Sequence, residues 1–210
     1  VWCAANPLAS FRRNYDDLDW IVSAWGYLPP RGDSVDVSMI QKDTSFFGVY
    51  DSIPSHPKVL LLVNNIDRKT QLFNSAGVTA MLATPATRAR VEQQLLAAVL
   101  HYRFAGVTTD FENVPAASMS QLVAFQSELG AMLHSHGLLL TQTVSVNTEP
   151  RDLKRFSAVN DYLFLMLYDE HYGKGDPGPV ASQRWYVDRA REMLRDVPAS
   201  KAIFALGAYG

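Results

Sequence analysis

Gly106-Val107-Thr108-Thr109-Asp110-Phe111-Glu112-Asn113 is a short run that opens apolar and gathers polar residues toward its C-terminal end. A strand with one solvated face alternates apolar and polar residues. A strand covered on both faces of a parallel sheet reads as a continuous run, with polar groups held back to its end. Helical patterns flank the run on both sides. Before it, Thr84 precedes Pro85, and Val91, Leu95, Val99 and Tyr102 recur at helical spacing. After it, Ser118–His136 puts Leu122, Phe125, Leu129, Met132 and Leu133 on one face, and Gly137 follows in the position that closes a helix. The local unit is therefore helix, strand, helix.

The same alternation extends outward. Strand-like runs fall at Val1–Asn6, Asp19–Leu28, Lys58–Asn64, Gly106–Glu112, Leu138–Val146, Tyr162–Tyr168 and Ala202–Ala208. Further helices are expected at Leu8–Leu18, Asp152–Val159 and Ser182–Val197, the last stopped by Pro198. Arg31–His56 reads as a long loop with a short helix. Strands alternating with helices over short connections imply right-handed βαβ units. A doubly wound sheet is one solution. The pattern is better served by an α/β (β/α)8 TIM barrel that ends after its seventh strand, because no glycine-rich phosphate loop follows the first strand. On this reading residues 1–210 are a single domain cut from a longer protein, with no signal-peptide pattern at the start.

Composition narrows the partners. The 210 residues are 48% hydrophobic and 19% charged, with a net charge of -2. That suits a globular fold with a real core. No basic stripe interleaved with aromatic residues appears, so no nucleic acid is expected as a partner. Cys3 is the single cysteine, which excludes an internal disulfide or a cysteine-built metal site and reads as a small buried residue. His134 and His136 lie two apart at a helix end, where they do not face one another, so no metal is assigned to them. No cofactor is expected.

Functional side chains of a parallel barrel stand at the C-terminal ends of its strands. Asp110 and Glu112, two apart on a strand, point the same way with Thr108 one pleat below. Two converging carboxylates are costly unless one is protonated or hydrogen-bonded, which is the condition an acid catalyst needs. A pair of solvated surface acids would read the same way. Asn64 and Asn65 end the third expected strand, where amides suit sugar hydroxyls or a turn equally. Trp25 and Tyr27 close the second, where an aromatic face suits a sugar ring or helix packing. Gln142 is a candidate to project into the mouth from the fifth.

FAGVTTDFENVP resembles the fourth-strand signature of family 18 glycoside hydrolases, which ends in Asp-x-Glu. LFLMLYDEHY resembles that family's sixth-strand Met-x-Tyr-Asp motif, here Met166, Tyr168 and Asp169, and the following segment is similar to the approach to its seventh strand. The nearest likeness is to family 18-like domains of spore-cortex hydrolases and of proteins that also carry polysaccharide deacetylase and family 2 glycosyltransferase domains. The resemblance implies hydrolysis of β-linked N-acetylhexosamine polysaccharide assisted by the substrate's own acetamido group. Glu112 would then be general acid and base, Asp110 would hold the acetamido N–H, Tyr168 its carbonyl, and Asp169 would fix the sugar. Met166 and Asn113, within the same motifs, join Asn64, Asn65, Trp25 and Gln142 as sugar-contacting candidates.

The family's pattern has two earlier aspartates, at positions here occupied by Ala105 and Thr108. Thr108 offers a hydroxyl but no titratable proton. The alternative expectation is therefore a non-catalytic carbohydrate-binding or scaffolding barrel. In either case the resemblance implies N-acetylated glycan as partner, neighbouring deacetylase or glycosyltransferase domains, and a place at the cell envelope or outside the cell.

Overall fold

The computed structural model describes residues 7–173 and 175–208. The run expected at Val1–Asn6, with Cys3, lies outside the described residues. Six strands remain: β1 Trp20–Tyr27, β2 Lys58–Asn64, β3 Gly106–Asp110, β4 Leu139–Ser145, β5 Tyr162–Met166 and β6 Ala202–Ala205. β1, β2 and β3 pair in parallel in that order, as do β4, β5 and β6, and the run expected as fourth is β3. The expected bounds hold for β2, and β3, β5 and β6 stop two to three residues early. Glu112 and Tyr168, the expected last residues of two of these strands, lie in the loops beyond, as does Asp169.

Helices fill the intervals: α1 Pro7–Asn14, α2 Ser38–Lys42, α3 Thr44–Tyr50, α4 Ser75–Leu82, α5 Pro85–His101, α6 Met119–His134, α7 Pro150–Val159 and α8 Gln183–Met193. The stretch 31–56 holds two short helices rather than one, because Asp43 restarts the chain as a cap, its Oδ1 accepting the Phe46 N–H. The pattern did not show α4. Its sequence SAGVTAML has little amphipathic contrast, and Gly77 stands mid-helix because a Cβ there would come within 2.4 Å of the Pro29 carbonyl oxygen. A close backbone approach, not a side-chain stripe, seats this helix.

The described chain divides into two compact units, one running to Leu140 and the other from Thr141. In the first, α5 and α6 turn Val91, Leu95, Val99, Leu122, Phe125, Leu129 and Leu133 into a core where none is more than 2% exposed. Thr84 and Thr87 form the capping box that starts α5. Arg88 of α5 donates Nε and Nη2 to the two carboxylate oxygens of Glu128 on α6. At the foot of β3, Gly106 has φ 158, and a Cβ there would lie 2.1 Å from the Leu139 carbonyl oxygen. Only glycine allows β4 to start this close to β3.

In the second unit β4 and β5 pair from Thr141↔Tyr162 to Ser145↔Met166, and β5 pairs with β6 from Leu163↔Ala202 to Met166↔Ala205. Val144, Leu163 and Leu165 form its buried face. Thr143, Ser145, Phe164, Met166, Ile203 and Ala205 form the other, which is half-buried.

Candidate active site

Partners in a parallel ladder project to the same face. In the first unit Tyr27 is in register with Asn64, and Asn64 with Asp110, so three polar-tipped side chains form a row across the C-terminal ends of β1, β2 and β3. At the usual strand spacing, Tyr27 and Asp110 stand about 10 Å apart across this row. The next row down pairs Leu62 with Thr108, which is fully buried. The opposite face carries Leu61, Val63, Val107 and Thr109 under the helices, and Gln126 of α6 donates its Nε2 to the Thr109 hydroxyl. Asp110 thus stands on the face away from α6, half-buried.

Tyr27 reaches this row through a bulge. Ser23 is opposite Leu61 and Gly26 opposite Val63, so β1 spends three residues where β2 spends two. Without the extra residue, Tyr27 would fall on the helix face. Trp25 and Tyr27, taken together in the sequence, are thereby separated. Trp25 is buried: its ring lies against Phe46, Phe47 and Phe104, with centroids 5.1 to 5.7 Å away, and its Nε1 donates to Asp43 Oδ2 at 3.2 Å. This is a packing role and corrects the sugar-contact expectation, since the surface a sugar would stack on is covered by rings. Tyr27 is half-buried instead, with the Arg68 guanidinium 5.0 Å over its ring and Arg68 paired to Asp36 at 2.9 Å. Burial, aided by the nearby Asp67 carboxylate, pushes the Tyr27 phenol above its ordinary range.

Glu112 lies just past β3, half-buried. Its backbone is clasped by the Asn65 side chain: the Glu112 N–H donates to Asn65 Oδ1 at 3.0 Å, and Asn65 Nδ2 donates to the Glu112 carbonyl at 2.9 Å. The same Nδ2 donates to the Asn74 carbonyl at 3.1 Å, and the Asn74 N–H returns to the Asn65 carbonyl. Asn65 is fully buried. The expectation that it contacts sugar is corrected, because its amide is spent on two carbonyls and one N–H of its own chain. Asn64 keeps a half-buried place in the row and accepts the Ile66 N–H on Oδ1. Asn113 is exposed with φ 55, a left-handed turn that asparagine tolerates better than most residues and that ends the strand direction after Glu112.

The second unit carries the other motif. Met166 closes β5 in register with Ser145 and Ala205, on the half-buried face. Tyr168 is half-buried, and Asp169 is exposed with φ 66, so this loop too turns on a left-handed acidic or amide residue. Glu170 anchors the loop: its carboxylate accepts the N–H and hydroxyl of Ser182, which hold it below the usual carboxylate range. Gln142 is placed differently from the expectation. It pairs with Leu163 on the buried face, 5% exposed, and its Oε1 accepts Asn160 Nδ2 at 3.0 Å. One residue decides this, because Thr143 and not Gln142 shares a face with Phe164 and Met166.

No three His, Cys, Asp or Glu side chains converge as a cation site among the described residues. In the sequence Tyr27 is only one of two aromatic residues at the end of a strand, and nothing local marks it above Trp25. What separates them is the bulge.

No protein-family model matches the chain. The Bacillus subtilis protein YdhD, named as a sporulation-specific glycosylase, is 30% identical over 145 residues, covering 66% of this chain and 34% of that protein. The chain spans between 25% and 47% of the length of the curated relatives it matches. Among solved structures, a class V chitinase from Pseudomonas fluorescens superposes with a TM-score of 0.84 at 23% identity, over 96% of this chain and 65% of that one. A chitinase from Chromobacterium violaceum superposes with a TM-score of 0.82 at 24% identity, over 100% of this chain and 67% of that one. The fold is shared with these chitinases.

Proposed function

We propose that this chain carries the active site of a glycoside hydrolase that cleaves β-linked N-acetylhexosamine polysaccharide by substrate-assisted hydrolysis with retention. The observation that supports it best is the strand-end group of Tyr27, Asn64, Asp110 and Glu112. A half-buried acid ends a parallel strand, a second follows two residues later, and that second acid has its backbone clasped by a buried amide. In this reading Glu112 protonates the glycosidic oxygen and later activates water. Asp110 holds the acetamido N–H while the sugar's carbonyl oxygen attacks its own anomeric carbon. Tyr168 hydrogen-bonds that carbonyl, and Asp169 and Met166 fix the sugar. Asn64 and Asn113 line the same mouth of a (β/α)8 barrel.

The mechanism requires no protein nucleophile, metal or cofactor. The polymer is chitin-like, peptidoglycan or exopolysaccharide, met at the cell envelope or outside the cell. Deacetylase or glycosyltransferase domains on the same polypeptide would suit such a substrate. The naming of YdhD as a glycosylase, and the fold shared with the two chitinases, support a glycosidic bond as the target.

One observation favours a second reading, a binding barrel without turnover. Thr108, fully buried one row below Asp110, stands where the family 18 pattern has an aspartate. It cannot exchange a proton with Asp110.

The test compares N-acetylated and de-N-acetylated oligosaccharides of one polymer with the full-length protein. Only the N-acetylated form should be cut, and Glu112→Gln should slow cleavage by roughly a hundredfold or more with affinity little changed. Equal cleavage of both forms sinks the acetamido mechanism. Binding without cleavage, unaltered by Glu112→Gln, establishes the second reading instead.

A further inference from the structure

We infer that Asn65 is a positioning residue for Glu112, holding the general acid through its backbone rather than touching substrate. The inference rests on the reading of Glu112 just proposed. Three observations carry it. Asn65 is fully buried and cannot reach a glycan without the end of β2 opening. Its primary amide engages both backbone hydrogen-bonding groups of Glu112, the carbonyl by donation and the N–H by acceptance, at 2.9 and 3.0 Å. The clasp is itself braced, because the Asn65 backbone and side chain both bond Asn74, whose Oδ1 caps α4 by accepting the Ala76 N–H.

Glu112 sits beyond the last residue of β3, where the ladder no longer fixes the chain, and Asn113 turns away at φ 55. A general acid must be held within a fraction of an ångström of its proton acceptor. At this position the Asn65 amide continues the function of the missing ladder, binding the N–H and carbonyl of one residue as a neighbouring strand would. No other common side chain offers one donor and one acceptor at this reach. Aspartate loses both Nδ2 donations and faces two carbonyl oxygens with a charge, and glutamine adds a methylene inside a fully buried site.

The test uses Asn65→Asp, which keeps the side-chain volume, and Asn65→Ala, each alone and combined with Glu112→Gln. Thr84→Ala, which removes the cap of α5, serves as a control of lowered stability. Asn65→Asp should lower kcat by roughly tenfold or more with KM within about threefold, since the lost interaction serves the acid and not the bound sugar. In the Glu112→Gln background it should cost less than about twofold further, because two groups acting as a unit do not add. Thr84→Ala should shift Tm and leave kcat unchanged.

Independently of activity, Asn65→Ala should speed hydrogen exchange of the Glu112 amide by roughly tenfold or more while β3 amides keep their protection. A raised KM with unchanged kcat would make Asn65 a substrate contact. Losses that multiply in the double variant would make it merely structural. Unchanged exchange at Glu112 would overturn the clasp outright. If the wild-type protein cleaves nothing, the failure belongs to the proposed function, and the exchange measurement alone decides whether Asn65 holds Glu112.

Discussion

Glu92 on α5 is 3% exposed, shares a hydrogen bond with Glu128 on α6, and has one carboxylate oxygen, Oε1, with no partner. Burial, then repulsion from Glu128, pushes its carboxyl from the ordinary 4.5 up to about 7, against the pull of Arg88. Glu128 moves the other way, held low by its two hydrogen bonds from Arg88. The sign follows from proton binding. Between about pH 4.5 and 7 the folded chain holds a proton at Glu92 that the unfolded chain has released, so this group's contribution to stability falls as pH rises through that window.

A carboxyl held at about 7 rather than 4.5 corresponds to a ceiling of about 3 kcal/mol lost above neutrality. The pair titrates together, so part of that belongs to Glu128. Glu92→Gln keeps the shape, donates a hydrogen bond to Glu128 at every pH, and has no proton to lose. We expect it to stabilise the protein by about 1–2 kcal/mol at pH 8.5 and by almost nothing at pH 4.5, a Tm gain of roughly 2–8 °C at the alkaline end. Thermal melts of both proteins at half-unit steps from pH 4.5 to 8.5 provide the assay. A Tm difference that stays flat with pH, or is larger at the acidic end, would refute the reasoning.

Gly106→Ala should destabilise by about 2–4 kcal/mol or prevent folding, since its Cβ would overlap the Leu139 carbonyl; denaturant titration measures it. Trp25→Ala should cost about 3–5 kcal/mol in the same assay, while glycan affinity of the folded fraction stays unchanged; a selective loss of affinity would restore Trp25 to the sugar site. Asp110→Asn should impair turnover of N-acetylated oligosaccharide by roughly a hundredfold or more, because an amide cannot follow the charge that develops on the acetamido group; steady-state kinetics would show full activity if Asp110 lies off the path.

The six described strands and most of the helices between them are legible in the linear pattern. The period of each segment and its stop signals are local properties, so Lys58–Asn64 was bounded as the structure has it, and Pro85 and Gly137 marked the start of α5 and the region where α6 ends. The Asp-x-Glu at the end of β3 was legible for the same reason. Where an element is held by backbone approach instead of a side-chain stripe, as α4 is at Gly77, the pattern was silent.

Which face each candidate occupies, and what it binds, follows from how distant segments pair. One extra residue in β1 put Tyr27 beside Asn64 and Asp110 and left Trp25 among phenylalanines. One step of register put Gln142 against Asn160 and gave Thr143 the face of Met166. Asn65 was indistinguishable from Asn64 until its partner, 47 residues later at Glu112, was known. A strand's side chains alternate with period two, so a single residue of bulge or register reverses every assignment beyond it. That residue is set by how segments distant in the chain pair, which no local pattern contains.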